Sequence, residues 1–323
     1  MSSNRLSTHV GCLSAKEGSD KLTPRQQLYA HFMSRAAWHG TRIILRQVSP
    51  ESIHIFDYIL ELYRACDGDW DSLQHETQVP PDDLASFLEY AVLFLSNVGN
   101  YYGHGDQKFV PQVPVNSMRQ ISTISSVAQN MYHEIEQAMM TCPPFGLGYP
   151  SENLQSSYYP GDAPMSQAEI EAVSKVLDER SIDLKNTRIS RSERPGETSY
   201  NVLQASINAG ESPLKIGDTD NGTVYIVRGD HSKELTNICN ALEQAQRHAA
   251  NPTQERYIHE LRNSFNNGEM EPYKESQRLW VKDQRPAVET IMGFVEPYRD
   301  PSGVRAEFEG LVAIVDEDRT LLL

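Results

Sequence analysis

A change of hydrophobic period near residue 142 constrains this chain more than any other feature. Before it, apolar residues recur at helical spacing. After it come runs that alternate like strands, then helical spacing again. The break is "CPPFGLGYPSENLQSSYYPGDAP" (142–164), whose Pro, Gly and Tyr content disfavours a helix. Upstream, Thr23-Pro24 supplies an N-cap and a first-turn proline for a helix closed by Gly40. Ser49-Pro50-Glu51 repeats the device, launching a helix whose Ile55, Phe56, Ile59, Leu62 and Tyr63 share a face. A third helix carries Leu84, Phe87, Leu88, Ala91 and Leu95.

Downstream, Ser166 and Glu169 form a capping box opening a short amphipathic helix. "TSYNVLQASI" and "GTVYIVRGD" read as strands separated by the turn "GDTDNG". Helices over about 232–249 and 253–267 precede a last strand-like "LVAIV". Helices, strands, then helices point to α+β rather than regular βαβ alternation. Residues 1–22 are expected to be a flexible N-terminal segment.

The 323 residues suffice for one large domain or two ordinary ones. A net charge of −15 with no Lys/Arg run opposes nucleic-acid binding. Cys12, Cys66, Cys142 and Cys239 lie far apart and form no CxxC, so reduced thiols are expected. Without a signal-like or membrane-spanning apolar run, a soluble cytoplasmic protein is expected, with no membrane partner.

Few motifs carry chemistry. Three His-Glu pairs occur, at His75, His133 and His259. None has a second His four or five residues on, so none reads as a zinc helix. No phosphate loop or nucleophile elbow is present. "GFVEPYRDPSGVRAEFEG" (293–310) gathers Glu296, Asp300, Glu307 and Glu309 with Arg299 and Arg305. Salt bridges, a carboxylate holding a ligand ammonium, and a glycosidase pair all remain open on residue chemistry alone.

The longer block "SQRLWVKDQRPAVETIMGFVEPYRDPSGVRAEFEGLVAIV" (276–315) resembles the dipeptidyl peptidase III family of zinc exopeptidases. "NVGNYYGHGDQKFVP", "YYPG", "NTRI" and "VRGD" follow the same pattern in order. The resemblance implies that residues 23–316 form a helix-rich lower lobe with a small antiparallel or mixed β-barrel, incomplete here. It implies that Glu296 holds the amino terminus of an oligopeptide and that Tyr298 hydrogen-bonds the scissile region. Trp280 matches an aromatic near the first subsites, and Glu309 an acid lining the cleft. His104 stands where related members carry Phe. Zinc belongs to an upper lobe, through a His-Glu-x-x-x-His motif absent from these residues, so no metal is expected on this chain. The chain alone is therefore expected to be inactive, and residues 317–323 to be an aberrant or truncated tail. The alternative implied is a non-catalytic peptide- or partner-binding protein derived from that family.

Overall fold

The computed structural model describes residues 14–161, 163–194, 197–210 and 212–316. The expectation for residues 317–323, and that for residues 1–13 of the N-terminal segment, fall outside these. In chain order the helices begin with α1 (Lys16–Lys21), α2 (Pro24–His39), α3 (Thr41–Val48) and α4 (Ser52–Ala65). Then come α5 (Trp70–Thr77), α6 (Pro81–Asn97), α7 (Val115–Ser122) and α8 (Ser126–Met140). Two-residue strands β1 (Gly146–Leu147) and β2 (Leu154–Gln155) precede α9 (Gln167–Glu179). The strands β3 (Thr187–Arg194), β4 (Glu197–Ala205), β5 (Leu214–Thr219) and β6 (Gly222–Asp230) follow. The chain continues through α10 (Ser232–Gln246), α11 (Pro252–Asn267) and α12 (Met270–Lys282) to β7 (Val288–Phe294) and β8 (Phe308–Ile314). The mixture of helix and sheet is the expected α+β class. Among the described residues, however, the strands form a four-stranded sheet and two separate pairs, and no barrel closes.

The chain divides into two compact units. One, Leu45–Ser157, is helical and buries Ile55, Leu62, Phe87, Phe94, Met118 and Met139 in one core. Its loop after α6 is anchored by a buried polar set. Ser49 donates to Asn100 Oδ1 at 2.7 Å, Asn100 Nδ2 donates to Glu51 at 2.8 Å, and Lys108 pairs with Glu51 at 3.0 Å. Ser49 was expected to cap α4; its hydroxyl is spent here, and the N-cap position falls to Glu51 without a side-chain bond.

The other unit joins, among the described residues, 14–44 to those from 158 to 316. Its α2 starts with the full capping box, Thr23 with Gln26. Gly40 is the C-cap that closes α2, in a right-handed conformation, and α3 begins one residue later. Glycine is required there by space, since a Cβ would lie 2.1 Å from the Phe308 ring. The four-stranded sheet runs β3-β4-β6-β5, with β4 and β6 parallel and the outer pairs antiparallel.

The pair β7–β8 is an antiparallel ribbon in the register Val288↔Ile314 to Phe294↔Phe308. Alternation gives it two unlike faces. Thr290, Met292, Phe294 and Phe308 are buried, with Phe308 edge-on to Phe294 at 5.5 Å and 6.2 Å from Phe265 of α11. Each such aromatic contributes about 1.5–3 kcal/mol by leaving water. Gly310 lets the ribbon lie close on α2, where its Cβ would stand 3.0 Å from Ala37. The opposite face, with Glu289, Ile291, Glu309, Leu311 and Ala313, is partly open to solvent.

Candidate functional site

Residues 295–307 connect β7 to β8 and continue the hairpin before turning. Val295 N–H donates to the Glu307 carbonyl at 3.1 Å, and Glu307 N–H donates back to Glu296 at 2.9 Å. The Glu296 carbonyl also accepts Tyr298 N–H at 3.0 Å. These bonds fix the backbone of a corner whose Glu296 and Tyr298 side chains are exposed, Tyr298 by 66%. Glu309 follows one residue into β8, opposite Gly293.

Three of the sequence-selected residues therefore meet at one end of the ribbon. The Glu309 carboxylate raises the Tyr298 phenol pKa, chiefly by its charge, with a hydrogen bond between the two adding to it. Burial, then the charge of Glu296, pushes the Glu309 carboxyl above its ordinary value, opposed by the Tyr298 hydrogen bond. One Glu309 oxygen is buried with no hydrogen-bond partner. Tyr273 joins them unanticipated by the sequence. Its ring covers Gly293, where a Cβ would sit 2.5 Å from the ring edge, and its phenol is raised by burial and then by neighbours including Glu309 and Glu296. Gly293 has φ +138, so both its backbone and its neighbour demand glycine. The i−20 spacing of Tyr273 from Gly293 carries no periodic signal; only the packing of α12 on the ribbon reveals it.

Two acids and two phenols make an electronegative patch suited to a cation with adjoining acceptors. A carboxylate pair holds an ammonium by charge-assisted hydrogen bonds, and a phenol donates to a carbonyl beside it. Glu309 also sets a pH dependence. Its raised folded-state value means its contribution to stability is full below the ordinary carboxyl range and lost as pH rises through the folded value. Glu309→Gln is therefore expected to raise the thermal midpoint at pH 7 and to leave it unchanged near pH 3.5, read by circular dichroism at both.

The other selected residues lie elsewhere. Trp280, near the end of α12, donates its indole N–H to Glu289 at 2.8 Å. Glu289 stands four residues from Gly293 along β7, about 13 Å away at strand rise. His104 belongs to the other unit, exposed at the tip of a turn closed by the Tyr101↔Lys108 bridge. The remaining acids of the loop form ion pairs: Arg299 with Glu307 at 3.1 Å, and buried Arg305 with Asp300 at 3.9 Å. Glu296 and Glu309 form none among the described residues.

Zinc, implied by the resemblance, finds no fitting ligand set among the described residues. Among the described residues no group of three or more His, Cys, Asp or Glu side chains is arranged to hold a metal ion. No described helix is long and apolar enough to cross a membrane.

Known proteins match the chain almost throughout. Dipeptidyl peptidase 3 of Rattus norvegicus is 34% identical over 329 residues, covering 96% of this chain and 44% of that protein. The Dictyostelium discoideum protein of the same name is 36% identical over 321 residues, covering 96% and 44%. That of Homo sapiens is 33% identical over 328 residues, covering 95% and 44%. The chain thus spans less than half the length of the curated relatives it matches. Among solved structures, DPP III from Caldithrix abyssi shares the fold with a TM-score of 0.53 at 18% identity. It is matched over 93% of this chain and 41% of its own. Dipeptidyl-peptidase III from Corallococcus sp. strain EGB gives 0.53 at 17%, over 97% and 42%. The sequence pattern of peptidase family M49 matches residues 131–323, more than half of the chain and inclusive of the whole ribbon and its loop, and the chain belongs to that family.

Proposed function

We propose that these residues form the peptide-holding wall of a dipeptidyl peptidase, which releases dipeptides from the free amino terminus of oligopeptides. The observation that carries this is the meeting of Glu296, Tyr298 and Glu309 at one end of the β7–β8 ribbon, in a chain of family M49. In this reading Glu296 accepts hydrogen bonds from the substrate ammonium, and Glu309 strengthens the local negative field. The Tyr298 phenol donates to the carbonyl oxygen of the scissile region, where charge develops during hydrolysis. Trp280 takes the place of the family aromatic near the first subsites. In this reading the peptide meets its metal in the family's upper lobe, which carries the His-Glu-x-x-x-His motif. A cytosolic location belongs to the same reading.

Zinc supplies an activated water when bound by its own motif. The 323 residues contain no His-Glu-x-x-x-His, so this polypeptide alone is expected to release no dipeptide from a dipeptidyl-arylamide with or without added zinc. Zinc-dependent release by the purified polypeptide would overturn that expectation. A second reading, a non-catalytic peptide-binding member of the family, uses the same clamp. It is separated from the first by mixing the polypeptide with the metal-bearing remainder of a family relative. Recovered hydrolysis supports the peptidase wall; binding without hydrolysis supports the second reading.

A further inference from the structure

We propose that Tyr159, Asp300 and Arg305 act as a positioning triad for the corner that carries Glu296 and Tyr298. The proposal rests on the peptide-holding reading of that corner. The Asp300 side chain is fully buried and organises the loop around itself. It accepts backbone N–H groups from Ser302 at 3.2 Å, Val304 at 3.1 Å and Arg305 at 2.9 Å. It also accepts the Ser302 hydroxyl at 2.9 Å and, from far back in the chain, the Tyr159 hydroxyl at 2.6 Å.

Arg305 is the largest fully buried side chain among the described residues. Its Nη1 lies 3.2 Å from the Tyr159 oxygen and 3.9 Å from the Asp300 carboxylate. Its Nη2 donates to Ser174 of α9 at 3.1 Å. The guanidinium carbon lies 5.3 Å from the Tyr159 ring centroid. The triad therefore pins the turn to α9 and to the segment before it. From Arg305 the position passes along two residues: Ala306 N–H is held by the Lys185 carbonyl at 2.8 Å, and Glu307 N–H holds the Glu296 carbonyl at 2.9 Å.

Burying an arginine and an aspartate costs heavily in desolvation, and a hydrophobic filler often serves stability as well or better. What the polar set supplies beyond stability is a single loop geometry, because each acceptor lone pair and donor has a defined direction. The beneficiary is the exposed corner, whose two side chains have little packing of their own. A clamp held in its bound shape binds more tightly because less order is lost on association.

Tyr159→Phe tests this with the ring kept and only the hydroxyl removed. The readout is the ratio of affinities for a free-amino tripeptide and its N-acetyl form, by calorimetry on the 323-residue polypeptide. The variant is expected to lower that ratio about tenfold through weaker free-amino binding. A lowered thermal midpoint with the ratio unchanged would make the network structural only and overturn the triad. Should Tyr159→Phe fail to fold, Ser174→Ala removes one acceptor of the Arg305 guanidinium and is expected to lower the ratio about threefold; an unchanged ratio there overturns the triad equally. A wild-type polypeptide that prefers neither tripeptide sinks both the triad and the peptide-holding reading. A wild-type preference that survives both variants sinks the triad alone.

Discussion

Replacing Glu296 by Gln is expected to weaken binding of a free-amino peptide by about tenfold to a hundredfold, with little change in stability. The size follows from losing a charge-assisted hydrogen bond to an ammonium, worth about 1.5–3 kcal/mol. The selectivity follows from exposure: Glu296 makes no ion pair among the described residues, so its removal strands no partner. Calorimetric titration of wild type and variant, with thermal midpoints measured on the same samples, checks both halves. Equal affinities would remove Glu296 from the site. Glu309→Gln at the same corner is expected to lower affinity less, since Glu309 is partly buried and acts through the field it adds.

Asp300→Ala is expected to have the largest effect on stability, about 3–5 kcal/mol. The change leaves the Arg305 guanidinium buried without its carboxylate and frees three backbone N–H groups of the loop. Urea denaturation should show the midpoint falling with the slope unchanged, as for a loss of stability without change of the unfolded state. Asp218→Ala, which breaks an exposed pair with Lys215, should leave the midpoint nearly where it was. A small effect at Asp300 would mean that the loop is held by its backbone bonds to Glu296 and Lys185 instead.

Capping chemistry was the most legible part of the fold. The Thr23-Pro24 start and the Ser166–Glu169 box are local devices, needing only a few adjacent residues, and both form. Ser49 looked equivalent but met a competitor distant in sequence: Asn100 and Ser52 take its hydroxyl. Gly40 does close α2, but the space that requires glycine there is set by the Phe308 ring, more than 260 residues later, and α3, starting directly after it, has no local signal of its own. The "GDTDNG" turn is narrower than expected, because β5 runs through Asp218 and Thr219 and the chain reverses between Thr219 and Gly222.

The site was only partly legible for a related reason. Residue types in 293–310 announced ion pairs, and Arg299 with Glu307 and Arg305 with Asp300 are indeed paired. Which acids stay unpaired depends on ribbon register and on which side chains the core absorbs. Register places Glu309 beside Tyr298 and Glu296, and core packing brings Tyr273 over Gly293. The role of Tyr159 was invisible, since its partners Asp300 and Ser302 lie more than 140 positions downstream. Spacing alone does not separate Glu296, Tyr298 and Glu309 from the loop's other polar residues; their place in the family pattern does.

The most direct measurement is a paired titration of the wild-type 323-residue polypeptide with one tripeptide in free-amino and N-acetyl forms, at neutral pH and without metal. A wall that holds the substrate amino terminus is expected to bind the free-amino form at least about tenfold more tightly. Equal affinity for the two forms, or binding of neither, would contradict it.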